Sequence, residues 1–190
     1  MKKIVLTGGP GAGKTVICAA IAAAHPDKFV HVPESATQIY NQLGSRWDRM
    51  DVAGQRHAQR LIYQNQIAQE ERYANDNPGK TLLLDRGTID GSAYWPDGPE
   101  AYWRDLGKKI TDELNRYDAV IFLETAATLG IYDGHLSNSV RFEAPEAAIE
   151  SGKKLRQLWA GHPRIHSVAA STDMAEKIEA VTSILETIGR

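Results

Sequence analysis

Cysteine occurs once in the 190 residues, at position 18, which excludes a disulfide frame and a thiolate metal centre. Cys18 falls inside a small-residue helical stretch and reads as a buried packing residue. No apolar run approaches the ~20 residues needed to cross a bilayer. The first residues lead straight into a strand with no leader pattern, so a reduced cytoplasmic setting is expected. Charge of either sign is also scarce in excess: the formal net charge is −2, and the densest basic cluster is Lys153, Lys154 and Arg156. Nucleic acid is therefore not an expected partner. The six histidines include no H-E-x-x-H spacing, so no zinc site is expected from them. Internal repeats, linkers and low-complexity tracts are missing as well.

What is present is an apolar fraction of 42%, enough for a substantial core in one domain over residues 1–190. Strand-like runs at 2–7, 29–32, 81–84, 119–123 and 165–169 alternate with helical patterns at 14–25, 35–43, 51–74, 101–116, 145–160 and 173–188. Such alternation predicts an α/β fold with a parallel sheet. In the long third helix, Leu61, Ile62, Ile67 and Ala68 are spaced for a buried stripe. Residues 87–99 read as a loop rich in glycine, proline and aromatics. Residues 125–143 are weakly patterned and suit a small helical lid.

The first strand runs into Gly8-Gly9-Pro10-Gly11-Ala12-Gly13-Lys14-Thr15, which satisfies G-x-x-x-x-G-K-[ST] at every fixed position. Strand before, helix after: this is the setting in which backbone N–H groups and a helix N-terminus converge on phosphate. Gly9, Pro10, Gly11, Ala12, Gly13, Lys14, Thr15 and Val16 form the expected nucleotide-binding segment. Lys14 reaches the β- and γ-phosphates, and the Thr15 hydroxyl ligates Mg²⁺. No N-K-x-D element is present to read guanine, which favours ATP and leaves GTP open.

Carboxylates at strand ends face the crevice where ligands collect in open α/β sheets. Asp85, after Leu82-Leu83-Leu84, is placed to hold Mg²⁺ opposite the phosphate loop, or to cap the next turn. Glu34, after the second strand, is a candidate general base, or an acid favourable to the helix that follows it. Arg86 can grip a phosphate or an acceptor hydroxyl, or pair with Asp90 at the surface. Asp90 is balanced between structure and substrate contact. Tyr94 and Trp95 are candidates to line an acceptor pocket. Arg141 is a candidate lid cation acting on the transferred phosphoryl group, or a partner of Glu143 or Glu146. Trp159 reads as core.

These signatures occur in order: the phosphate loop at 8–15, V-P-E-S-A at 32–36, L-D-R-G-T-I-D-G-S-A-Y at 84–94, R-Y-D-A-V-I-F-L-E at 116–124 and V-R-F-E at 140–143. Together they resemble the small AAA-type P-loop ATPases and kinases related to the ribosylnicotinamide kinase portion of bacterial NAD-biosynthesis regulators. More distantly the layout is similar to deoxynucleoside and adenylate kinases. The resemblance implies a P-loop three-layer α/β/α fold, a five-stranded parallel sheet ordered 2-3-1-4-5 and an arginine-bearing lid. It further implies Glu34 as base, Asp85 as Mg²⁺ partner, and Arg86 and Arg141 as phosphate contacts. Gly87 stands where nucleoside kinases often carry serine. The expected activity is Mg²⁺-dependent transfer of the ATP γ-phosphoryl group to a hydroxyl of a small, nucleoside-like acceptor. The alternatives are a nucleotide-dependent regulatory module acting on a protein or lipid, and a simple NTP hydrolase. The oligomeric state is open.

Overall fold

The computed structural model describes residues 1–130 and 145–189. Five strands form one sheet: β1 (Lys3–Thr7), β2 (Phe29–Val32), β3 (Thr81–Asp85), β4 (Ala119–Leu123) and β5 (Ile165–Val168). Their order is β2-β3-β1-β4-β5 and all four pairings are parallel. The expected topology is thus found. In the register Leu6 lies opposite both Asp85 and Ile121, which brings the ends of β1, β3 and β4 to one edge.

Parallel strands covered on both faces are apolar in near-continuous runs, as Leu82-Leu83-Leu84 of β3 and all of β4 are. Alternate residues of the sheet feed two cores. Ile4, Leu6, Leu83 and Ile121 pack with Ile17, Cys18, Val181 and Leu185 from α1 (Lys14–Ala24) and the C-terminal helix. Val5, Leu82, Leu84 and Val120 pack on the other side with Tyr63, Tyr102 and Trp159. Cys18 is fully buried, as expected of a packing residue.

α2 (Ser35–Leu43) ends at Gly44, whose left-handed backbone closes the helix. α3 (Val52–Asp76) starts at Asp51, whose carboxylate accepts from the Gly54 amide at 2.7 Å. The expected apolar stripe of α3 is not its buried face. Leu61, Ile62 and Ile67 are only partly buried and Ala68 is exposed, while Gln59, Tyr63, Gln66, Gln69 and Glu70 are buried. The reason is what α3 packs against: Ser35 and Tyr40 of α2, the Arg86 carbonyl after β3 and the Glu113 carboxylate all meet it with polar groups, so the inward face carries hydrogen-bonding side chains.

Two further boundaries differ from the sequence pattern. Residues 88–94 form a 3₁₀ helix, Thr88–Tyr94, where a loop was expected. The helical run 101–116 is two helices, α4 (Pro99–Leu106) and α5 (Ile110–Leu114), because Gly107 takes a left-handed conformation and stops α4. α6 (Pro145–Trp159) and α7 (Met174–Gly189) complete the described helices. None of the described helices is long and apolar enough to cross a membrane.

Candidate active site

The loop after β1 wraps the N-terminus of α1. Gly11 and Gly13 both have positive φ, 72° and 89°, the alternation that turns successive amides toward one concavity. Gly9 is forced by a close approach: a Cβ there would lie 2.6 Å from the Ala148 carbonyl oxygen of α6. Lys14 is buried and its Nζ donates to the Gly8 and Gly9 carbonyls, both at 2.9 Å. Burial, reinforced by the Arg86 cation, lowers the Lys14 pKa to about 7 against the pull of Asp85, Glu34 and Asp90. Val16, one residue beyond the motif, is exposed on the first turn of α1.

Asp85 ends β3 beneath this loop. Its Oδ2 accepts from the Thr15 hydroxyl at 2.5 Å. Its Oδ1 is buried with no hydrogen-bond partner among the described residues. Burial, together with the nearby Glu34 carboxylate, pushes the Asp85 pKa up, opposed by Lys14, Thr15 and Arg86. A buried carboxylate oxygen without a donor is costly unless something cationic meets it. Thr15 and Asp85 therefore fit a small hard cation. No cluster of three or more His, Cys, Asp or Glu side chains offers a second centre among the described residues.

Arg86 follows immediately, with φ 76°, the one non-glycine positive φ among the described residues. Its Nε donates to Glu34 Oε1 at 2.6 Å and its NH1 to Asp90 Oδ1 at 3.0 Å. The pair with Asp90 is buried, not at the surface. Burial opposes the Arg86 charge, but Tyr94, Glu34, Asp90 and Asp85 outweigh it and hold the guanidinium charged. Its carbon also lies 5.8 Å from the centre of the Tyr94 ring.

Glu34 occupies the residue before α2, but its side chain makes no capping bond to that helix. It accepts instead from Arg86 and, through Oε2, from the Thr37 hydroxyl at 2.8 Å. Asp90 has both oxygens committed. Oδ1 accepts from the Thr7 hydroxyl at 2.8 Å and from Arg86; Oδ2 accepts from the Trp159 indole at 3.0 Å and the Gly87 amide at 3.3 Å.

Glu34, Arg86, Asp90 and Tyr94 all line one narrow, partly open cavity with a volume of about 20 Å³. Its remaining walls include Gln59, Ile62, Tyr63 and Tyr102 from α3 and α4. Gln59 Nε2 donates to the Tyr40 hydroxyl at 3.2 Å, while its Oε1 is buried without a partner among the described residues. Gln66 Nε2 reaches the Arg86 carbonyl at 3.3 Å. Trp95 does not line this cavity; it is buried against Tyr102 with ring centres 5.3 Å apart.

The structure thus brings together Lys14, Thr15, Glu34, Asp85, Arg86, Asp90 and Tyr94. Arg141 and most of the expected lid lie outside the described residues; Ala126–Leu129, at its start, is a 3₁₀ helix. Sequence reasoning missed Gln59 and Gln66. Their signal was the seven-residue spacing that puts both on one helical face with Tyr63. It also missed the Trp159–Asp90 bond, for which nothing local in the sequence gives a sign.

A phosphate loop after β1, an acid at the end of β3 and a 2-3-1-4-5 parallel sheet define a P-loop α/β/α domain. A family model described as an AAA domain matches residues 3–177, and the chain belongs to that family. No curated protein matches the sequence. Among solved structures, a deoxyadenosine kinase from M. mycoides with the products dCMP and a flexible dCDP matches with a TM-score of 0.66 at 16% identity. That match covers 97% of this chain and 99% of the other. The same kinase with dATP bound matches with a TM-score of 0.65 at 16% identity, over 98% and 100% of the two chains. At this identity the likeness is one of fold.

Proposed function

We propose that the protein is an ATP-dependent kinase that transfers the γ-phosphoryl group to a hydroxyl of a small nucleoside-like acceptor. The observation that carries this reading is Glu34. It lines the cavity and bonds Arg86, and its charge is felt at both Lys14 and Asp85. One carboxylate therefore borders both the phosphate loop and a second, partly open pocket. A hydrolase that uses water as acceptor has no need of that pocket.

In this reading the backbone N–H groups of residues 9 and 11–16, with the Lys14 ammonium, hold the triphosphate. Thr15 and Asp85 hold Mg²⁺, which would neutralise charge on the phosphoryl oxygens. Glu34 takes the proton from the attacking hydroxyl. Arg86 orients Glu34 and the acceptor, and Asp90 acts through Arg86 by fixing its guanidinium. The rings of Tyr63, Tyr94 and Tyr102 suit a flat heterocycle, and Gln59 Oε1 offers it a hydrogen-bond acceptor. The resemblance to ribosylnicotinamide kinases and the fold of a deoxyadenosine kinase support an acceptor that is a ring joined to a sugar.

The test is ADP release from Mg²⁺-ATP in the presence of a nucleoside panel. At least one nucleoside should raise turnover above the basal rate. Glu34→Gln should lower that stimulated rate by about 10²-fold or more while leaving ATP affinity within about twofold. No stimulation by any nucleoside, or an undiminished rate in the variant, refutes the kinase reading.

A further inference from the structure

The phosphate loop is held from behind by two side chains outside its motif. The Thr125 hydroxyl donates to the Pro10 carbonyl at 2.6 Å, and Lys177 Nζ donates to the Ala12 carbonyl at 2.7 Å. These partners are 115 and 165 positions apart in the chain. Lys177 also donates to the Glu124 carbonyl at 3.1 Å, so the same ammonium ties the loop to the end of β4. Thr125 and Lys177 are 3% and 2% exposed.

A trans peptide points its C=O and the next residue's N–H in opposite directions, and no described peptide bond is cis. Fixing the Pro10 carbonyl therefore fixes the direction of the Gly11 N–H. Fixing the Ala12 carbonyl does the same for the Gly13 N–H. Gly11 and Gly13, like Gly8 at the start of the loop, have positive φ, and their own backbone freedom would otherwise leave these peptide planes loose. Stability alone gives a poor account of Lys177. Burying an ammonium against carbonyl oxygens costs more than burying an apolar side chain of the same length.

We propose that Thr125 and Lys177 are positioning residues of the phosphate cradle: they turn the Pro10 and Ala12 carbonyls outward and so aim the Gly11 and Gly13 amides at phosphate. This rests on the reading that the loop grips a nucleotide. It adds that the grip is set by the β4 terminus and α7, and not by the eight-residue motif alone.

The full chain, ¹⁵N-labelled, is titrated with Mg²⁺-ADP. The Gly11 and Gly13 amide protons should move downfield. Thr125→Val and Lys177→Met should each weaken Mg²⁺-ADP binding about tenfold, the value of one charge-assisted hydrogen bond. Thr125→Ser should restore it. Adenosine, which has no phosphate, should bind wild type and Thr125→Val alike. Two folded variants that bind Mg²⁺-ADP within twofold of wild type overturn the inference and leave the nucleotide reading standing. An equal loss for adenosine overturns it too. If neither variant folds, the wild-type spectra decide, and unmoved Gly11 and Gly13 amides overturn it. A wild-type chain that binds no nucleotide overturns the reading beneath it as well.

Discussion

Replacing Glu70 by Gln tests the buried network behind the cavity wall at Gln66 and Arg86. Glu70 is fully buried on α3. Its Oε2 accepts from Lys3 Nζ at 3.0 Å and Arg116 NH2 at 2.8 Å; its Oε1 accepts from the Tyr117 hydroxyl at 3.0 Å and Gln66 Nε2 at 3.2 Å. A glutamine keeps the shape but removes the charge, and whichever way its amide turns, one set of donors faces an NH₂ group. Breaking a buried ion pair from one side costs about 3–5 kcal/mol. Here the two cations are about a quarter exposed, 23% and 25%, so water recovers part of that and about 2–3 kcal/mol remains. For a domain of this size the melting temperature should fall by roughly 5–10 °C. The loss should also reach the site, because Gln66 shares its amide between Glu70 and the Arg86 carbonyl. The assay is thermal unfolding followed by circular dichroism, with acceptor kinetics on the same samples. A variant melting within about 2 °C of wild type would show that the network does not stabilise the fold as described.

Two further substitutions probe the two halves of the site. The Lys14 pKa is lowered from 10.5 to about 7 in the folded protein, chiefly by burial. The unfolded chain thus binds the proton more tightly, and wild-type stability should rise with pH between about 7 and 10.5. Measured without nucleotide or metal, wild type should therefore gain on Lys14→Met across that window; a stability difference flat in pH would contradict it. Gly91→Ala would place a Cβ 2.6 Å from the Tyr102 hydroxyl and 3.0 Å from Gln59 Oε1, on the wall of the cavity. Overpacking of this kind costs about 1–3 kcal/mol, so the acceptor KM should rise about fivefold or more with ATP affinity kept within about twofold. An unchanged acceptor KM in the folded variant would remove the cavity from the reaction.

The sheet was legible because a buried parallel strand reads as a continuous apolar run, as Leu82-Leu83-Leu84 of β3 and all of β4 do. The phosphate loop was legible because its chemistry is local: backbone amides, one lysine and one hydroxyl within eight residues. Strand-end acids were legible for a related reason, since topology alone sends Glu34 and Asp85 to the crevice. The polar half was not. Gln59, Gln66 and Glu70 look like the solvated face of a long helix, and they are buried because Tyr40, the Arg86 carbonyl, Arg116 and Tyr117 meet them there. The apolar Leu61 and Ala68 misled for the same reason. A helix that covers a polar site turns its hydrogen-bonding residues inward and leaves some aliphatic ones outside. Trp159 belongs with these: its ring is core, as its type suggests, but its indole N–H is spent on Asp90.

Arg86 shows how the two halves join. A positive φ on a bulky side chain costs on the order of 1–3 kcal/mol and persists only where the surroundings over-determine it. At Arg86 they do. Its amide donates to the Leu6 carbonyl at 3.1 Å, its carbonyl accepts from Gln66, and its guanidinium is held by Glu34 and Asp90. A glycine would relieve the strain but carry no charge. The twist serves to separate neighbours: Asp85 bonds Thr15 on the phosphate-loop side, while Arg86 turns to line the cavity. The strain at Arg86 is thus the local consequence of turning one side chain, directly after a strand, to meet Glu34 and Asp90 at the cavity wall.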